Sequence, residues 1–321
     1  MVRTSADGQT LHVGYNLQQL NEMHRGIVGE LYGESGQQHQ AQQNWQPFPT
    51  VEAAFGDRDA GTRRQRERLD LLSQAYRRTN AFNYATYDNR VTNNDLSNFG
   101  QVSQEAPENA AAHLLNRHGQ EGFTIGEEHN ESASKGYLID NMGSLADSGV
   151  NTLYLEHIRS EYQDLVDQYL GSGPGVGMPD ELRSMVRAND EAHELADHPD
   201  NHNLAGVLAA AKIHGMRVRG IDSMAAQSIP AGPDGHDLRA ITMNVFGENV
   251  VRADAQNRNN GKYVMLAGRA HNTTHARNNP PNVGFQKGLP GFSQLLEIPA
   301  VRVDPITGRL RLDREKRRKR H

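Results

Sequence analysis

From residue 109 onward, short apolar runs alternate with stretches whose apolar residues recur at helical spacing, and that alternation admits few folds. Phe123-Thr124-Ile125, Thr152-Leu153-Tyr154-Leu155, Arg217-Val218-Arg219-Gly220-Ile221 and Tyr263-Val264-Met265-Leu266-Ala267 read as strands. Between them, Tyr137, Leu138, Met142 and Leu145 mark one face of a helix that stops at Gly149. Arg159 to Leu170, Pro179 to Leu195, and Leu204 to His214 read as further helix, and Leu238, Ile241, Val245 and Val250 mark another. Strand then helix, repeated in units of roughly 30 residues, specifies an α/β fold: a mostly parallel sheet with helices on both faces. A short helix near Phe292 to Leu296 and a hairpin of Ala300 to Val303 with Leu310 to Leu312 complete the sheet edge.

The first 108 residues differ in kind. They are polar and Gln/Asn-rich, as in Gly36-Gln37-Gln38-His39-Gln40, and are expected to be partly disordered because so few apolar residues cannot build a core. One amphipathic helix is expected from Arg63 to Arg78, where Leu69, Leu72, Ala75 and Tyr76 share a face, either docked on the main body or solvated. The chain thus divides into a polar N-terminal region (1–108), an α/β domain (109–313) and a basic tail (314–321). That tail, Arg314 to His321, reads as a solvated terminus, with nuclear import or contact with an anionic membrane as the functional alternatives.

Composition removes several classes of function. A net charge of -5 gives no chain-wide positive field to collect nucleic acid. The absence of cysteine excludes disulfides, thiolate metal sites and cysteine nucleophiles. No run reaches the ~18 apolar residues of a membrane span, and the start lacks the apolar core of a cleaved Sec signal. If the protein leaves its cell, it is expected to do so by a route that needs no such signal.

In open parallel sheets, ligands bind beyond the carboxyl ends of the strands. Those ends carry Gly126-Glu127-Glu128-His129, Glu156-His157, Asp222-Ser223 and Gly268-Arg269-Ala270-His271, an ionisable group each time. Gly126 and Gly268 are expected where the chain turns off its strand, each presenting a histidine three residues later. A neutral imidazole accepts a proton from water near pH 7, and a carboxylate orients the ring. Glu127 or Glu156 can do this for His129 or His271, the second histidine can protonate a leaving group, and Arg269 or a backbone N–H can steady an oxyanion. The same residues leave a second reading open, in which His129, Glu156 and His271 hold Mn or Zn and the metal activates the water.

Asp222, Arg269, Asn272 and Arg159 are supporting candidates around this set. His157 is expected to point away from Glu156 and to pack. His193, His198 and His202 with Asp200 look like a metal-binding loop but read better as a solvated connection. The spacing of His271 and His275 matches helical zinc proteases, yet no glutamate follows His271 and the pair leaves a strand, so that motif is rejected.

The doublet of Gly-x-x-His motifs with an intervening glutamate resembles the superfamily of erythromycin esterases, ChaN-like haem-binding lipoproteins and Tiki proteases. The stretch Ile125-Gly126-Glu127-Glu128-His129, Ser132-Ala133-Ser134-Lys135, Leu138-Ile139-Asp140-Asn141-Met142 and Leu153-Tyr154-Leu155-Glu156-His157 is most similar to its toxin branch. That branch holds the second C-terminal domain of the Pasteurella mitogenic toxin and the Ras/Rap1-specific endopeptidase domain of multifunctional autoprocessing toxins. The resemblance covers roughly residues 109 to 304 and implies a catalytic set of Glu127, His129, Glu156 and His271 working without a metal. It further implies a hydrolase acting on a host protein, a small GTPase being one such substrate. Its other branches imply the alternatives of a Mn- or Zn-dependent hydrolase and a non-enzymatic haem binder.

Overall fold

The structure is a computed structural model that describes residues 60–81, 99–116, 121–173, 175–228, 235–259, 261–272 and 290–313. The Gln-rich stretch, His275 with its loop, and the basic tail lie outside the described residues.

Six strands form one sheet: β1 (Gly122–Glu127), β2 (Val150–Arg159), β3 (Arg217–Asp222), β4 (Lys262–Gly268), β5 (Ala300–Val303) and β6 (Leu310–Leu312). Their order is β3-β2-β4-β1-β5-β6, parallel throughout except where β6 pairs antiparallel with β5. The expected α/β class and edge hairpin are therefore present. Side chains alternate across each strand, so Phe123, Ile125, Leu153, Leu155, Val264 and Leu266 enter one core while Tyr154, Ile221, Tyr263, Met265 and Ala267 enter another.

The first core is closed by α4 (Ala133–Asp147), α5 (Gln163–Gly171), α6 (Asp180–Ala192) and α7 (Leu204–Ile213). Leu138, Met142 and Leu145 of α4 are all fully buried there, as their spacing predicts. On the other face, α8 (Met224–Gln227), α9 (Gly235–Ala253) and α11 (Phe292–Leu296) contribute Ala226, Met243, Val251 and Phe292. The short α10 (Arg269–Asn272) follows β4 directly.

Ahead of the sheet come α1 (Ala60–Ala81), α2 (Phe99–Glu105) and α3 (Ala110–Leu115). Helix α1 docks: Leu71, Leu72 and Ala75 are buried, Arg78 pairs with the buried carboxylate of Glu248, and Gln74 accepts from Asn249 of α9 at 2.8 Å. Phe99 of α2 belongs to the same core as the sheet. None of the described helices is long and apolar enough to cross a membrane.

Two local expectations are corrected. Strand β2 does not stop at Leu155 but runs to Arg159, and the helix expected from Arg159 begins at Gln163 after a single 3-10 turn (Ser160–Tyr162). The fully buried Ile158 keeps the chain extended, while a register shift against β3 between Leu155 and Arg159 loosens the pairing at Glu156 and His157. Gly126 is the next-to-last residue of β1 and Gly268 the last of β4, and both are absent from the positive-φ glycines, so a sharp turn does not explain them. The explanation is crowding, developed below.

Candidate functional site

Strand register brings the site together. Glu127 ends β1 directly opposite Gly268 at the end of β4, and Leu155 of β2 pairs with Leu266 on the other side of β4. Glu156 therefore arrives beside Gly268, whose backbone N–H donates to Glu156 Oε2 at 2.5 Å. His129 lies two residues beyond β1, and His271 lies in α10. Nε2 of His129 stands 3.8 Å from Glu156 Oε1, and Nε2 of His271 stands 3.6 Å from the same oxygen. The two histidines, far apart in sequence, thus face one carboxylate.

Gly268 makes this possible. A Cβ there would lie 2.6 Å from His129 Nε2 and 3.3 Å from Glu156 Oε2, so any side chain would occupy the space in which the ring meets the carboxylate. At Gly126 a Cβ would lie 2.6 Å from Nδ2 of Asn272. Both glycines are needed for close approach rather than for backbone conformation.

The far nitrogen of each ring is fixed. His129 Nδ1 donates to Glu127 Oε1 at 2.9 Å, and His271 Nδ1 lies 2.8 Å from Oδ1 of Asn244. Asn244 donates its own Nδ2 to the Pro290 carbonyl at 2.9 Å, which orients its oxygen towards His271 and makes Nδ1 the protonated nitrogen. In the neutral state both rings consequently turn an Nε2 lone pair towards Glu156. Hydrogen bonding to Glu127 raises the His129 pKa, reinforced by the charge of Glu156 and opposed by burial. Burial alone would raise Glu156, but the facing imidazoles of His271 and His129, the nearby charge of His157 and the Gly268 N–H hold it below the ordinary carboxylate range.

Glu127 lies beneath the site with its side chain fully buried. Lys135 Nζ donates to both of its oxygens at 2.9 Å, and His157 Nε2 donates to Oε1 at 2.6 Å. Burial pushes the Glu127 carboxyl up, yet the hydrogen bonds from His157 and His129 and the charges of His157 and Lys135 hold it well below its usual value. His157 does point away from Glu156, as expected, but it turns onto Glu127 rather than merely packing. His193 corrects a second expectation. It sits where α6 gives way to the histidine loop and stacks on His129, with ring centroids 5.0 Å apart and an interplanar angle of 26°. Burial lowers its pKa, aided by the charges of the neighbouring His129 and His157.

Lys135, His157, His193 and Asn244 were missed as site residues. Lys135 left a signal, because it falls at helical spacing with Leu138, Met142 and Leu145 and so sits on the apolar face of α4, where a lone cation needs a buried partner. His157 follows Leu153 and Leu155 at strand spacing, which sends it to the Glu127 side of the sheet.

The supporting candidates are committed elsewhere. Asp222 accepts from the Ser223 N–H and from Gln227, and burial, with the nearby charge of Glu156, pushes its pKa up to about 6. Arg159 donates to the Tyr162 hydroxyl at 2.8 Å and lies over that ring. Arg269 is exposed and pairs with Glu128 at 3.4 Å. Asn272 is fully buried behind β1 and donates to the Val301 carbonyl and to Asp313, so it anchors α10 to the sheet edge.

A metal fits this donor set poorly. Among the described residues, Glu127, His129 and His157 bring three ligand atoms within 4.8 Å of one another, whereas His129, Glu156 and His271 do not form such a group. In the first group the Lys135 ammonium already bridges both carboxylate oxygens, so a cation would have to displace a buried cation. Beside the site, a cavity of about 460 Å³ opens between Asn130, Glu131, Tyr137, Asp140, His202 and Pro305.

No protein family and no curated protein matches the chain by sequence. Solved structures do. RRSP, a MARTX toxin effector domain from Vibrio vulnificus CMCP6, superposes with a TM-score of 0.64 at 21% identity, over 98% of this chain and 60% of that one. The chain shares the fold of that effector domain. A second bacterial protein toxin gives a TM-score of 0.60 at 19% identity, over 98% of this chain and 62% of that one. The C-terminal region of Pasteurella multocida toxin gives 0.56 at 19% identity, over 76% of this chain and 31% of that one. The chain therefore spans well under two thirds of these toxin chains. The Pasteurella structure is described as having a thiol-protease-like catalytic triad. The present chain has no cysteine.

Proposed function

We propose that the chain is a toxin effector domain, delivered into a host cell, that hydrolyses an amide bond in a host protein by acid and base catalysis without a metal. The observation that carries this is the convergence of His129 Nε2 and His271 Nε2 on one oxygen of Glu156. Two lone pairs and a carboxylate facing one another favour a shared proton, so one ring is imidazolium and the other imidazole. Glu127 raises the proton affinity of His129, which makes it the acid. His271, backed by the neutral amide of Asn244, is the base.

In this scheme a water held between His271 and Glu156 attacks the scissile carbonyl and gives its proton to His271 Nε2. His129 donates its proton to the departing amide nitrogen as the C–N bond breaks. Glu156 compensates the positive charge in both states, and the buried Lys135–Glu127–His157 cluster holds the acid in register. The resemblance to the Ras/Rap1-specific endopeptidase domain makes a small GTPase the substrate to try first.

The test is to incubate the purified chain with host-cell lysate and compare new peptide termini with those from His129→Ala and His271→Ala. One new terminus, lost in both variants and kept in the presence of a chelator, is the expected result. Loss of one general acid or base typically costs ~10²–10⁴-fold in rate. Cleavage that persists in both variants, or that a chelator abolishes, would sink the scheme.

A further inference from the structure

A second histidine cluster lies outside the site described above. In the loop between α6 and α7, His198, Asp200 and His202 each offer a ligand atom, and these atoms lie within 4.8 Å of one another. The two imidazoles face each other with centroids 5.3 Å apart and planes at 17°. Asp140 of α4 stands 3.8 Å from Nε2 of His202, adding a second carboxylate from a different element. Both His202 and Asp140 also line the cavity of about 460 Å³, which leaves the cluster open to solvent on that side.

The loop is fastened at both ends. Asp190 of α6 accepts from the Leu204 and Ala205 N–H groups, and Asn203 caps α7 while donating to the Leu195 carbonyl. Leu195 is itself buried. Between these anchors, single backbone bonds fold the chain back on itself: Asn201 N to the His198 carbonyl at 2.9 Å and Asn203 N to the Asn201 carbonyl at 2.8 Å, with Asn201 in the left-handed region at φ 54°. This preformed turn holds two half-buried imidazoles and an exposed carboxylate together, with the ring of His202 lying against Gly136 of α4.

We propose that His198, Asp200 and His202 form a zinc site, with Asp140 at its edge. Imidazole nitrogen and carboxylate oxygen are the donors zinc takes, and three protein ligands leave the fourth position for water or for Asp140. Ligand atoms around a tetrahedral zinc stand ~3.3 Å apart, given bonds of about 2.0–2.1 Å, so a small contraction of the exposed turn completes the site. The ion joins the α6–α7 loop to α4. The same loop begins at His193, which stacks on His129, so zinc pins the segment that covers one face of that ring. The site stands apart from the proposed hydrolysis, and its test does not depend on it.

The experiment is a calorimetric titration of the full chain with Zn²⁺, with Co²⁺ absorption reporting the ligand field. Wild type is expected to bind one equivalent. His198→Ala, His202→Ala and Asp200→Asn should each weaken binding at least tenfold, as loss of a ligand to a small site does. His129→Ala should bind as wild type does. Zinc should also raise the Tm of wild type and not that of His198→Ala, and the zinc-free melting curves show whether each variant is folded. Unchanged affinity in all three loop variants, or loss of binding in His129→Ala alone, overturns the proposal and moves the ion to the buried cluster. Absence of any binding overturns it as well.

Discussion

A Cβ at position 268 would fall 2.6 Å from Nε2 of His129, and no backbone strain accompanies it because Gly268 lies within a strand. Gly268→Ala is therefore expected to fold and to push the imidazole out of line with Glu156. A misplacement of ~1 Å costs on the order of 10²-fold in rate, so steady-state cleavage should fall by about that factor while the melting curve stays close to wild type. Lys135 calls for the opposite experiment. Its fully buried ammonium is bonded to both oxygens of a fully buried carboxylate. Lys135→Met leaves Glu127 with less compensation, and breaking a buried pair in this way costs ~3–5 kcal/mol. Urea denaturation measures it, and a loss below about 1 kcal/mol would show that His157 and His129 suffice on their own.

At the scale of elements, the docking of α1 rests on a narrow apolar stripe and on pairs with α9. Leu72→Ala is expected to cost ~2–3 kcal/mol, at the low end for a buried leucine because the stripe lies near the surface. Limited proteolysis should then release the segment before residue 99 ahead of the sheet. Resistance equal to wild type would mean that the polar pairs carry the contact. This helix was legible as an amphipathic segment, but its partner was not. Periodicity shows which face must be covered, and it names Leu72 and Ala75 correctly, yet nothing in it points to Glu248 and Asn249, which lie 170 and 175 residues from their partners Arg78 and Gln74. The extension of β2 to Arg159 was hidden for a related reason. Glu156 and His157 look like the end of a strand because β2 resumes its pairing with β3 only at Arg159, opposite Asp222.

At the scale of the whole molecule, stability should depend on pH through groups that pull in opposite directions. Glu127 and Glu156 are held below their ordinary values, so their contributions are present above the unfolded pKa of about 4.5 and are lost as pH falls through the folded values. Asp222 is raised to about 6, so the fold binds its proton more tightly than the unfolded chain does, and stability falls as pH climbs from about 4 to 6. Chemical denaturation across that window should show Asp222→Asn gaining on wild type as pH rises. A constant difference between the two proteins would mean that Asp222 titrates normally.

Taken alone, the order of apolar runs determined the class of fold, the parallel sheet and the strand ends at which ionisable groups collect, because the periods of helix and strand are properties of local backbone geometry. The motif around Glu127 and His129 pointed to the chemistry. Only the tertiary structure decided which nitrogen faces which oxygen, since that depends on β1, β2 and β4 lying side by side in one register. It turned His157 and Lys135 onto Glu127, laid His193 over His129, set Asn244 behind His271 and drew Asn272 out of the site. Each of those contacts is made by groups that local geometry cannot relate, and folding places them within hydrogen-bond reach only after the intervening elements have packed.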